Sequence, residues 1–238
     1  MMPASSHPTA VITRALAEGL WVAEHPMKAM GMELGRRMTV VRLRDGRLWL
    51  HSVGRLTPEV RGWLDGLGRV AFVVSPSQAH RRWMEAYAAA YPDAALVASP
   101  GLPEKRPDLA FDRTLGDVPD SEWTEDLDQA LFPVRGHYGE VVFLHRPTRT
   151  LILTDLCFQI PAGRGFVTTA LARTFGYYER FAASRLLRLM LADRAAAREV
   201  LVRILAWDFD RVIIGHGDIV ESGGKPALER AFAWLLKG

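Results

Sequence analysis

The sequence predicts an α/β protein in which two β-sheets lie face to face between two layers of helices, an αββα four-layer sandwich. Tight hairpins and βα units occur in the same chain, helical segments follow strands in both halves, and apolar sheet faces need cover on each side. Of the 238 residues, 49% are apolar and 24% charged, enough apolar material for a sizeable core. Residues 1–18 read as a flexible N-terminal tail, because residues 1–9 are polar and include Pro3 and Pro8. Residues 19–238 read as a single domain.

The run "LWVAEHP" is a short strand. Residues 38–53, "MTVVRLRDGRLWLHSV", form a hairpin, since two β-rich runs flank Asp45 and Gly46, the residue types of a tight turn. Thr57 caps a helix that has Pro58 at its first position, and residues 70–75 are an uninterrupted apolar strand. A helix over about 80–90, a strand at 95–99 and a Pro-rich connection at 101–107 complete the first half. Strands return at 129–134, 140–145 and 150–154, the last two joined by the turn "HRPTR". Residues 166–206 are helical; the final helix starts at Asp193 and carries Val200, Leu201, Ile204 and Leu205 as an apolar stripe. "RVIIGHGD" at 211–218 is a short buried strand running into a Gly-rich loop, and residues 225–236 close the chain as a helix.

Charge excludes some partners. The net charge is +3 with 30 basic residues, of which only Lys28, Lys105, Lys225 and Lys237 are lysine, and the basic residues are scattered. Nucleic-acid binding needs a concentrated positive stripe, so no nucleic-acid partner is expected. No stretch approaches the ~20 apolar residues that span a bilayer, and no leader-like pattern opens the chain, so a soluble protein without a membrane partner is expected. The sole cysteine, Cys157, cannot form an internal disulfide and suits a reducing, cytoplasmic setting.

Four polar residues recur just after buried strands: His80, His137, Asp155 and His216. Loops at strand ends are where a sheet scaffold gathers groups from distant parts of the chain. Imidazole and carboxylate suit a divalent ion such as zinc, iron or manganese with a position left open for water. The competing reading is that each histidine satisfies local backbone groups and Asp155 caps a turn, since no local motif such as H-E-x-x-H is present. Cys157 reads as a small buried side chain, Tyr138 as a packing residue or one that borders the site, and Phe175, Tyr177, Tyr178 and Phe181 as helix packing or a substrate wall. His25, His51 and His145 receive no role. The absence of G-x-x-x-x-G-K-[ST] and G-x-S-x-G leaves nucleotide-binding and serine-hydrolase readings without an anchor.

"SPSQAH" after a buried strand, "RGHYGEVVFLHRPTRTLILTD" and "VIIGHGD", in that order, resemble the metallo-β-lactamase superfamily. "MTVVRLRDGRLWLHS", "YPDAALVASPGL" and "HRPTRTLILTDLCF" resemble an uncharacterised branch of it, known only as a domain of unknown function. The resemblance implies the αββα fold named above. The superfamily's first motif, H-x-H-x-D-H, falls on Ser75, Ser77, Ala79 and His80, so three of its ligand positions are degenerate. Its later ligands match His137, Asp155 and His216. Hydroxyl and methyl groups do not replace imidazole and carboxylate, so the resemblance implies at most a mononuclear site on His80, His137, Asp155 and His216. Tyr138 and Asp218 are further expected to line it.

Two functions follow. In one, a single ion activates water against a small-molecule substrate. In the other, the lost ligands mark a metal-free member that binds or scaffolds without catalysis.

Overall fold

The structure, a computed structural model, describes residues 11–29, 31–134 and 139–237. The chain begins as an antiparallel pair, β1 (Ile12–Ala17) and β2 (Leu20–His25), reversing at Gly19. The expected tail to residue 18 is therefore corrected, since Ile12–Ala17 is a strand. It is an exposed edge strand, held by main-chain pairing with β2, so its mixed sequence carries no buried apolar pattern to announce it.

A small hairpin, β3 (Lys28–Ala29) and β4 (Met32–Glu33), leads into β5 (Arg36–Arg42). β5 pairs antiparallel with β2 and with β6 (Leu48–His51), as the Asp45-Gly46 turn predicts; Gly46 adopts φ +84°, which glycine takes without steric penalty. The helix α1 (Pro58–Leu67) starts as expected, with Thr57 Oγ1 accepting from the Val60 N–H at 3.3 Å. β7 (Val70–Val74) follows, parallel to β6.

The single helix expected from residue 80 is instead a 3₁₀ turn, Gln78–His80, followed by α2 (Met84–Ala90). Trp83 lies between them with φ 75°, a left-handed conformation that interrupts helical propagation. β8 (Ala95–Ala98), α3 (Leu102–Lys105) and β9 (Arg113–Thr114) complete the first half.

The second half opens with β10 (Leu127–Phe132), β11 (Glu140–His145) and β12 (Thr150–Ile152), an antiparallel meander. The long helical stretch is three helices, α4 (Phe166–Phe175), α5 (Arg185–Met190) and α6 (Arg194–Ala206), the first ended by Gly176. β13 (Arg211–Ile213) then pairs parallel with β12, and α7 (Gly224–Ala231) and α8 (Ala233–Leu236) finish the chain.

The strands form a seven-stranded sheet, β1-β2-β5-β6-β7-β8-β9, and a four-stranded sheet, β10-β11-β12-β13, with β3-β4 apart. Period-two alternation sorts their side chains into layers. Val41 of β5 and Val141 and Phe143 of β11 meet in the core between the two sheets. Val40 faces the other way, packing with Val60 and Leu64 of α1 and Met84 and Tyr87 of α2. Val142 and Leu144 pack under Leu201 and Ile204 of α6 and Leu228 of α7. Helix, sheet, sheet, helix is the resulting order, the αββα sandwich that the sequence predicts.

Candidate metal centre

Three of the four strand-end residues converge. His80 closes the 3₁₀ turn after β7, Asp155 follows β12 and His216 follows β13, so one donor comes from the large sheet and two from the small one. One ligand atom from each lies within 4.8 Å of the others. His80 Nε2 stands 3.2 Å from Asp155 Oδ2, and His216 Nε2 stands 3.2 Å from Asp155 Oδ1. Ligands ~2.0–2.1 Å from a tetrahedral ion are themselves roughly 3.3 Å apart, so both spacings suit a shared cation.

The outer ring nitrogens fix which way each imidazole presents its lone pair. His216 Nδ1 lies 2.6 Å from the Gly35 carbonyl, which only accepts, so Nδ1 carries the proton. His80 Nδ1 lies 2.6 Å from Ser52 Oγ, whose own hydroxyl donates to the Arg37 carbonyl at 3.2 Å, so Nδ1 of His80 is again the donor. In the neutral rings both Nε2 lone pairs then point at a carboxylate that also only accepts. Protons on the rings or a bound cation reconcile three acceptors at this distance, and tethering of the far nitrogen is how metal-binding histidines are held. Ser52, His80 and Asp155 thus form a Ser-His-Asp line, but Ser52 is wholly buried with its proton engaged, so it is no nucleophile. Ser52 also has φ 59°, a strain of order 1–3 kcal/mol held at the tether.

Asp155 is positioned by a residue that the sequence reading passed over. Glu140, at the start of β11 and buried, accepts from the Thr154 N–H at 2.5 Å, the Asp155 N–H at 2.7 Å and the Leu156 N–H at 3.0 Å. Burial, with the Asp155 charge beside it, pushes the Glu140 carboxyl up to about 7 against the pull of those amides. A lone carboxylate opening the apolar run "EVVFLH" was the available signal, as charge is seldom buried without a partner.

Burial lowers His80 to about 4, with the Arg36 charge adding to it and the Asp155 charge opposing, so this ring is neutral at pH 7. Burial alone would raise Asp155, but His80 and His216 outweigh it and hold its carboxyl well below the usual range. Arg36, itself buried, donates to the His80 carbonyl at 3.1 Å and the Val53 carbonyl at 3.0 Å. Phe158 stacks on His216 with ring centres 5.7 Å apart, and Tyr177 stacks on Phe158 at 4.8 Å. Phe175 continues the stack on Tyr177, so part of the aromatic cluster supports the site, whereas Phe181 packs on the helical side of the small sheet.

The degenerate positions lie as their chemistry allows. Ser75 Oγ donates to the Ser77 carbonyl at 3.0 Å, the Ser77 hydroxyl is buried without a partner among the described residues, and Ala79 is exposed. Asp218 is exposed two residues beyond His216, its N–H donating to the Gln159 carbonyl at 2.9 Å. Between them Gly217 adopts φ +93°, and a Cβ there would stand 1.9 Å from the Gln159 oxygen, so the loop after His216 requires glycine. His137 and Tyr138 lie outside the described residues. Cys157 is buried, and burial together with the nearby Glu140 charge pushes its thiol well up, which leaves it inert. Among the described residues no helix is long and apolar enough to cross a membrane.

Paired sheets under helices, with histidine and aspartate gathered at strand ends, define the metallo-β-lactamase fold, and solved structures agree. A metallo-β-lactamase from Pontibacter korlensis superposes with a TM-score of 0.63 at 14% identity, covering 96% of this chain and 100% of its own. The mono-zinc form of FIM-1 from Pseudomonas aeruginosa gives 0.64 at 13% identity, covering 95% of each chain. The metal-soaked flavodiiron core Flv1 from Synechocystis gives 0.68 at 12% identity, covering 95% of this chain and 61% of its own. Within that fold the chain belongs to the family described as Domain of unknown function (DUF4336), which it matches over residues 17–184. No curated protein matches the sequence.

Proposed function

We propose that the protein is a hydrolase-like, metal-dependent enzyme that holds one divalent ion, zinc, iron or manganese, on His80, Asp155 and His216 and acts on a small molecule. The observation that carries this is the convergence of two imidazole lone pairs on one carboxylate, with both outer ring nitrogens tied back to acceptors. When bound, such an ion supplies a Lewis acid and makes a water acidic enough to serve as a nucleophile near neutral pH. Ser52 and the Gly35 carbonyl orient the two rings, Glu140 sets the Asp155 loop, and Phe158 shields His216 from solvent. His137 is the proposed fourth ligand. Ala79 contributes no base, so proton handling does not come from that loop.

Elemental analysis of protein purified without chelator tests this reading. About one metal per chain is expected, lost in His216→Ala and in Asp155→Asn. A metal content near zero, with no uptake of added zinc, iron or manganese, overturns it.

A metal-free binding or scaffolding role is the second reading. The buried Arg36 favours it, because its positive charge is felt at Asp155 and competes with any cation there. In that case a chelator leaves the melting temperature unchanged, whereas an ion bound only by the native state raises it.

A further inference from the structure

One face of the molecule gathers positive charge without an answering negative one. A cavity of about 240 Å³ lies between the α4-α5 connection, α5 and α7, and Arg180, Arg188 and Arg230 line it. Phe181, Ala182, Ala183 and Ala231 complete its walls, so no carboxylate lines it, and neither do His80, Asp155 and His216.

Arginines elsewhere are answered: Arg14, Arg47, Arg113, Arg146, Arg203 and Arg211 each pair with a carboxylate. Among the described residues Arg180, Arg188 and Arg230 enter no ion pair. Glu179 and Glu229, the sequence neighbours of two of them, neither line the cavity nor pair with them. Two of the guanidinium groups are nonetheless held in place. Arg188 lies over the Trp234 ring at 4.9 Å, and the Trp234 Nε1–H in turn donates to the Ala231 carbonyl at 3.1 Å. Arg180 Nη2 donates to the Gly176 carbonyl at 2.9 Å, a single bond that leaves most of its N–H donors unused.

Like charges around one small space repel one another, and an anion seated among them removes that repulsion. Charge and shape narrow the anion. One guanidinium fork satisfies a carboxylate, whereas a phosphoryl group carries about two negative charges and three acceptor oxygens, enough to engage several arginines at once. At about 240 Å³ the cavity is smaller than the ~300–1,000 Å³ pockets that enclose a whole organic ligand, so it takes the charged group and leaves the rest outside. We propose that this cavity binds a phosphoryl group. Two sources present that chemistry: a soluble phosphate monoester, and a phospholipid headgroup, whose acyl region the exposed Leu186 and Leu189 beside Arg188 would meet.

Calorimetric titration of the full chain, stripped of metal with chelator and then desalted, tests this independently of the metal centre, so either reading can fail alone. The probes are inorganic phosphate, glycerol 3-phosphate and acetate. Both phosphates bind, acetate binds about tenfold more weakly or worse, and added sodium chloride weakens the phosphates. Arg180→Gln, Arg188→Gln and Arg230→Gln each weaken phosphate binding about tenfold, whereas Arg198→Gln, an exposed α6 arginine outside the cavity, leaves it unchanged. Co-sedimentation with phosphatidylcholine vesicles, with and without phosphatidic acid, separates the sources. Retention only with phosphatidic acid, lost in Arg230→Gln, assigns the headgroup; no retention, with glycerol 3-phosphate bound, assigns the soluble ester. Absence of phosphate binding, acetate binding as tightly as phosphate, or an equal loss in Arg198→Gln overturns the proposal.

Discussion

Ser52 and Glu140 never touch a substrate or ion in this arrangement, yet they decide whether the histidine and aspartate side chains meet. Ser52→Ala removes the acceptor at His80 Nδ1, and metal affinity is expected to fall about 10–100-fold, read by competition with a chromogenic chelator. Glu140→Gln turns one of two accepting oxygens into an NH₂ group facing backbone N–H groups, so an unfolding titration should show a loss of about 1–3 kcal/mol as well as weaker metal uptake. His80, Asp155 and His216 were legible in the sequence because each follows an apolar strand, a local feature. Ser52 and Glu140 were not, because their partners lie 28 and 15 residues away and nothing in the intervening sequence reports the contact.

Elements whose signals are local chemistry came through best. Asp45-Gly46 specifies its hairpin, and Thr57-Pro58 specifies the start of α1. Asp193 specifies the start of α6, with Oδ1 accepting from the Ala196 N–H at 2.9 Å. Asp193→Ala should therefore cost about 1 kcal/mol, seen as a lowered denaturation midpoint with an unchanged slope. Where tertiary pairing decides, the sequence was silent: β1 is a strand only because β2 supplies its partner, and Trp83 takes a left-handed φ that no residue preference would suggest. Arg36 and Arg82 lie over the Trp83 ring at 5.1 and 5.3 Å, contacts that help to hold that turn.

At the scale of the molecule, buried neutral histidines set the response to acid. Burial lowers His25 and His145 from 6.5 to about 4, so the unfolded chain takes up these protons first. Stability is fully present above about pH 6.5 and falls as pH drops toward 4, by at most about 1.4 kcal/mol per pH unit for each ring. Urea unfolding at a series of pH values should show this decline, and His25→Phe should make it shallower; a flat profile over that window would contradict it. The large sheet uses strands only from residues 12–114 and the small sheet only from residues 127–213, so each is made by its own contiguous half of the chain. A backbone cut in the connection between them would sever no strand. The halves, expressed as separate polypeptides, should reassemble through their shared apolar interface, and an ion gripped by His80 on one piece and by Asp155 and His216 on the other would act as a clasp whose removal loosens the pair.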